Sequence, residues 1–201
     1  MSTTLHTDTP LQVLGVQVGQ ARTALIGGRA VLTAIRKTAV QGTANVKPLG
    51  LEGDEQADPS VHGGLDKAIY AYPSEHYAFW QAQRTQAGLN GIDDQLAFGA
   101  MGENLTLAGL LERDVWVGDV PEFAHCTLRV DQPREPCFKF NAALGYKTAV
   151  KDMAQSGFCG FYLSVDQPGH LQAGESFVLH PGPRRVGIPE RFNAKMFKHM
   201  R

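Results

Sequence analysis

The densest group of reactive side chains in this sequence is Gln132-Pro133-Arg134-Glu135-Pro136-Cys137. Two prolines brace it: each fixes its own φ and biases the preceding residue away from the α region. Arg134 and Cys137 therefore stand three residues apart on a stiffened turn. A strand is expected over 126–131 and a helical segment over 138–143, which sets Cys137 beside the first free N–H groups of that helix. A helix N-terminus and a nearby guanidinium both favour the thiolate, the form that attacks electrophiles or binds a soft metal. The same residues also fit a buried, inert cysteine on a proline turn. Spacing alone leaves both readings open.

Other candidates are scattered. Val61-His62-Gly63-Gly64-Leu65-Asp66-Lys67 has two glycines that let backbone N–H groups approach an anion, with His62 and Lys67 as further donors. A plain turn fits the Gly-Gly pair as well. Lys37 closes an expected strand over 29–37 and reads as a solvated edge charge. His76 reads as an exposed helix histidine. A thiol enzyme would need a base for Cys137, and only His62 and His125 offer one, neither at a diagnostic spacing.

The chain has 201 residues, 43% hydrophobic and 19% charged, the proportions of one sizeable globular domain. A formal net charge of -1 gives no global attraction to nucleic acid or to an anionic membrane. No apolar run approaches the length of a membrane span, and the polar stretch 1–10 has no apolar core of a signal peptide. Three cysteines without a regular pattern suggest free thiols in a reducing compartment, hence a cytoplasmic protein.

These side chains need a scaffold. Twenty-two glycines and eleven prolines favour many turns and short strands. Strands are expected over 11–19 and 29–37, paired as a hairpin across the Gly27-Gly28 turn. Periodicity then fades from Gly42 to Asp66. A strand over 67–72 leads through Ser74, as N-cap, into a helix over 75–86. The glycine-rich run 98–104 feeds another strand. Helix 148–155 ends at Gly157, strand 158–165 follows, and the last strand covers 175–179. From residue 184 the tail is basic, and Pro189 can open a helix that packs on the domain or on a partner subunit. The sum is a mainly β fold with some helix (α+β), a β-barrel with a few peripheral helices. Without regular βαβ alternation it is not a doubly wound sheet.

Five segments in order carry a resemblance. They are Gly50-Leu51-Glu52-Gly53-Asp54-Glu55-Gln56-Ala57-Asp58, Val61-His62-Gly63-Gly64-Leu65-Asp66-Lys67-Ala68, Tyr72-Pro73-Ser74-Glu75-His76-Tyr77, Phe98-Gly99-Ala100-Met101-Gly102-Glu103-Asn104-Leu105 and the Gln132–Cys137 turn. Together they resemble the MOSC domain (molybdenum-cofactor sulfurase C-terminal), in its YiiM-like branch. The resemblance implies a barrel domain over 11–183 and a basic tail over 184–201. It implies a pocket for a molybdopterin-type molybdenum cofactor, with Cys137 as metal ligand and catalytic residue. Lys37, His62, Gly63, Gly64, Lys67, Asn104 and Arg134 are the implied cofactor-binding residues. The family also has a general association with pyridoxal phosphate binding.

The implied activity is reduction of N-hydroxylated base analogues or related N-hydroxy compounds, with electrons from a separate donor, in a homodimer. The competing reading is a non-catalytic carrier or sensor of the cofactor. YiiM-like proteins usually continue past the barrel into a helical region, whereas only the basic tail follows the last strand here. That difference bears on partner binding and electron delivery, not on the pocket. Cys126 and Cys159 are expected in the core.

Overall fold

Thr-Ala-Asn-Val-Lys at 43–47 shows the pattern of a half-buried strand: alternate residues are buried and exposed, as one face of the strand turns inward. The computed structural model describes residues 10–57, 63–91 and 95–197. Among them thirteen strands form. They are β1 (Gln12–Val18), β2 (Arg22–Ile26), β3 (Arg29–Thr33), β4 (Thr38–Ala39), β5 (Thr43–Lys47), β6 (Gly50–Leu51), β7 (Ile69–Pro73), β8 (Leu105–Ala108), β9 (Val120–Glu122), β10 (Thr127–Pro133), β11 (Phe161–Gln167), β12 (Gly169–Gln172) and β13 (Val178–His180). Four α-helices accompany them: α1 (Tyr77–Gln86), α2 (Phe138–Leu144), α3 (Ala149–Ser156) and α4 (Ile188–Met196).

Eight strands make one sheet in the order β13-β9-β10-β11-β7-β8-β1-β4. Every pairing in it is antiparallel except β7 with β8, which is parallel. The sheet curls without closing. An isolated bridge between Gln12 and Ser176 and the bond from the Val13 N–H to the Glu175 carbonyl (2.9 Å) tie β1 to the approach of β13. The fold is therefore α+β, as the sequence indicates, and "barrel" describes it only loosely. A three-stranded sheet, β12-β5-β6, and the β2-β3 hairpin complete it.

The core follows from composition. All five residues of β7, Ile-Tyr-Ala-Tyr-Pro, are buried. Trp80 of α1 meets Phe140 of α2 edge to face, with ring centroids 5.3 Å apart. Cys126 and Cys159 are buried, and burial pushes the Cys126 thiol up to about 12, as suits inert core residues. Gly145 and Gly157 take left-handed conformations that end α2 and α3.

Three expectations change. The strand after Gly27-Gly28 pairs with β2, not with β1, because the tight turn selects its immediate neighbour. The stretch 42–57 carries β5 and β6 rather than lacking regular structure. His76 is 7% exposed, stacked on Phe158 and paired through Nε2 with Glu112 at 2.7 Å, so it is a core pair and not a surface histidine.

Candidate functional site

β10 ends at Pro133, paired with Phe161 of β11, and the next residue turns inward. Arg134 is 5% exposed. Its guanidinium lies 5.0 Å from the ring centroid of Tyr70 in β7 and 4.8 Å from that of Phe140 in α2. Two aromatic faces thus hold a buried cation. Burial by itself lowers the Arg134 pKa, but the surrounding Tyr70, Tyr162 and Cys137 groups raise it further, so the charge stays. Its Nη1 has no hydrogen-bond partner among the described residues. A buried donor left unsatisfied is destabilising by about 1–3 kcal/mol, so such a group marks a site built for something else.

Cys137 follows at the N-cap of α2, in extended backbone, and its carbonyl accepts the Phe140 N–H at 2.8 Å. It is half-buried and lines the same recess as Arg134. The recess has a volume of about 660 Å³, the open solvent at its mouth included. Lys37, Lys67 and Asn104 also line it. The tertiary fold therefore assembles five of the sequence-derived residues on one cavity.

Their surroundings differ. Lys37 is no solvated edge charge. Its Nζ is 2.5 Å from Asp54 Oδ1, and the two side chains are 6% and 9% exposed. Asp54 also accepts the Gly19 N–H at 2.6 Å. Lys67 ends a short 3-10 turn, Leu65–Lys67. Asn104 is engaged on both sides: Oδ1 accepts the Tyr70 N–H at 3.0 Å and Nδ2 donates to the Gln17 carbonyl at 3.2 Å, joining β7 to β1. Gly63 and Gly64 are not among the lining residues. The Gly64 N–H donates to Gln56 Oε1 at 2.8 Å, and its φ of 98° explains the glycine. His62 lies outside the described residues. His125 stands before β10, stacked on His170, while Cys137 lies beyond the other end of that seven-residue strand. A strand of that length spans roughly 23 Å, which removes His125 as a base for Cys137.

The MOSC domain model matches residues 58–178, a span that includes Lys67, Asn104, Arg134 and Cys137. The chain is a MOSC-domain protein. It is 36% identical over 177 residues to the uncharacterized protein YflK of Bacillus subtilis, covering 88% of this chain and 76% of that one. It is 38% identical over 147 residues to protein YiiM of Escherichia coli, covering 73% of this chain and 63% of YiiM. A protein named reductase from Gibberella moniliformis is 30% identical over 181 residues, 90% of this chain but 31% of the fungal one. Among solved structures, YiiM from Geobacillus stearothermophilus superposes with a TM-score of 0.73 at 32% identity, covering 94% of this chain and 85% of that one. The MOSC-domain protein is thus YiiM-like.

Sequence reasoning missed several residues of the candidate site. Asp54 lies in a quoted motif but had no role there; its buried contact with Lys37 joins positions 17 apart. Glu103 is fully buried and accepts from the Gly99 N–H (2.8 Å), the Met101 N–H (3.0 Å), Thr106 Oγ1 (2.9 Å) and the Tyr77 hydroxyl. It staples the glycine-rich loop that carries Gly102 and Asn104 to the cavity. The basic tail also reaches the site from outside: Lys195 of α4 bonds Gln132 Oε1 at 3.0 Å and forms an ion pair with Glu135. No local pattern announces these long-range contacts. Lys139, also lining the cavity, was legible two residues after Cys137. No helix among the described residues is long and apolar enough to cross a membrane.

Proposed function

We propose that this MOSC-domain protein binds a molybdopterin-type molybdenum cofactor and serves as a reductase of N-hydroxylated compounds, base analogues among them. The observation that carries the reading is the buried Arg134 Nη1, which has no hydrogen-bond partner among the described residues and lines the same recess as the Cys137 thiol. One group asks for an anion and the other offers a soft donor. The lining charges agree: Lys37, Lys67, Arg134 and Lys139 against Asp54 and Glu55, an excess of two positive charges that suits a phosphate dianion. No group of three or more His, Cys, Asp or Glu among the described residues could hold a metal alone, so the metal would need ligands from the cofactor itself.

In this reading Cys137 donates its sulfur to the metal. Arg134 and Lys67 hold the anionic part, and Lys37 adds charge while Asp54 fixes its position. Asn104 keeps β7 and β1 in place behind them. When bound, the cofactor supplies two-electron redox chemistry with oxygen transfer from the N-hydroxy group. The overall change is balanced by two electrons and two protons from a separate donor, which convert an R-NHOH group to R-NH2 and water.

The test is metal analysis with pterin fluorescence on protein made in a cofactor-competent host. Wild-type protein is expected to carry molybdenum and pterin, and Cys137→Ser to lose the metal while keeping its circular dichroism. Full metal in Cys137→Ser overturns the assignment. Reduction of a hydroxylamine substrate with a supplied electron donor then separates a reductase from a carrier, which would hold cofactor without turnover.

A further inference from the structure

A second cleft adjoins the first. It lies between the β2-β3 hairpin and α2, with a volume of about 1320 Å³, its open side included. The two share Thr33, Ile35 and Lys139, so they form one continuous depression with Lys139 at the junction. The floor of the second is apolar, from Val18, Ile26, Ile35, Ala142 and Ala143. Among the described residues its charged lining is Arg22, Arg36 and Lys139, with no Asp or Glu.

That segregation is unusual for this chain, whose formal net charge is -1. None of the three cations has an ion-pair partner among the described residues. Arg22 donates to Gln20 Oε1 at 3.3 Å and Lys139 to the Leu32 carbonyl at 3.0 Å, contacts that orient them without neutralising them. Some exposed cations elsewhere have an acid beside them, as Lys47 has Glu52 and Arg129 has Asp166, while Arg29, Lys147, Lys151 and Arg185 have none among the described residues; what sets the cleft apart is that three cations share one apolar hollow.

We infer that this cleft is the substrate subsite and that it takes an amphiphilic organic anion, with the apolar body on the Ile26–Ala142 floor and a carboxylate or phosphate against Arg22 and Arg36. The inference rests on the cofactor reading, because the adjoining cavity then holds the cofactor phosphate and leaves this cleft for substrate. Three like charges over apolar walls focus a field that raises the local concentration of anions and discriminates against neutral analogues.

The experiment is calorimetric titration of cofactor-free protein with paired probes. Adenosine 5′-monophosphate is compared with adenosine, and 1-naphthoate with 1-naphthylmethanol, which separates phosphate from carboxylate as the preferred anion. The charged member of at least one pair is expected to bind about tenfold more tightly than the neutral one, with the gap shrinking as salt rises. The doubly substituted Arg22→Gln, Arg36→Gln protein should lose most of that gap, anion binding in the first cavity being common to both proteins, with its thermal unfolding and its molybdenum content unchanged, since both side chains are exposed. Equal binding of charged and neutral probes overturns the inference, as does a gap that the double substitution leaves at its wild-type size. Wild-type protein without molybdenum would instead sink the cofactor reading, and the titration on cofactor-free protein would stand unaffected.

Discussion

Arg134 brings a full charge to a place that water barely reaches, and its energetics decide what it is for. Each cation–π contact, with Tyr70 and with Phe140, contributes about 0.5–2 kcal/mol. Removing a guanidinium from water is destabilising by several kcal/mol, and the unpartnered Nη1 adds to that. Desolvation wins, so the residue weakens the empty protein. Arg134→Met keeps an apolar side chain between the two rings without the charge. The variant is expected to be more stable than wild type by about 1 kcal/mol in urea unfolding of cofactor-free protein, yet to lose cofactor. A drop in stability would mean that Arg134 is a structural group. Lys37 and Asp54 follow the opposite logic: the pair is buried, and losing one partner strands the other charge. Cys137 and Arg134 were legible as candidates because both sit on one short turn; the buried state of Lys37 was not, because its partner comes from another segment.

At the scale of elements, the site depends on two close approaches that only glycine permits. A Cβ on Gly19 would stand 2.6 Å from the Ala34 carbonyl oxygen and 2.7 Å from that of Arg36, both backbone atoms that cannot rotate away. The segment 34–37 must then shift, and Lys37 with it. Gly19→Ala is expected to destabilise the fold by about 1–3 kcal/mol and to weaken inorganic phosphate binding, measured by denaturant unfolding and calorimetry. Unchanged phosphate affinity would show that Lys37 is not part of the anion site. A Cβ on Gly102 would stand 2.8 Å from Cγ1 of the Ile35 side chain, and the φ of +84° there favours glycine as well. There the Glu103 staple fixes the loop between the two cavities. The sequence marks these glycines but not their neighbours, since a glycine pattern records that something comes close without saying what.

For the whole molecule, the tail proves to be architecture. α4 buries Phe192 completely and packs beside β10, where Lys195 ties down Gln132 and Glu135. The tail is thus a helix packed on the domain, one of the two placements its pattern allows; residues 198–201 lie outside the described structure. Phe192→Ala is expected to be destabilising by about 3–5 kcal/mol, whereas Lys195→Met should change stability by at most about 1 kcal/mol, as a partly exposed ion pair does. Both should loosen the turn that presents Arg134 and Cys137, and so lower phosphate affinity in the same titration. If Phe192→Ala unfolds with wild-type midpoint, α4 is not part of the domain core.

Local chemistry determined much by itself. Prolines 133 and 136 set the turn, Gly27-Gly28 set the hairpin, Gly145 and Gly157 ended their helices, and Pro189 opened the last one. Each of these acts within a few residues, so the sequence states it directly. The alternation in 43–47 was equally local and could have been read. Tertiary structure alone decided which strand β3 joined, that Arg134 enters an aromatic slot, that Lys37 meets Asp54 and that α4 steadies the turn. These contacts depend on burial and on pairings far apart in the chain, where an edge charge and a buried ion pair look alike until the neighbours arrive.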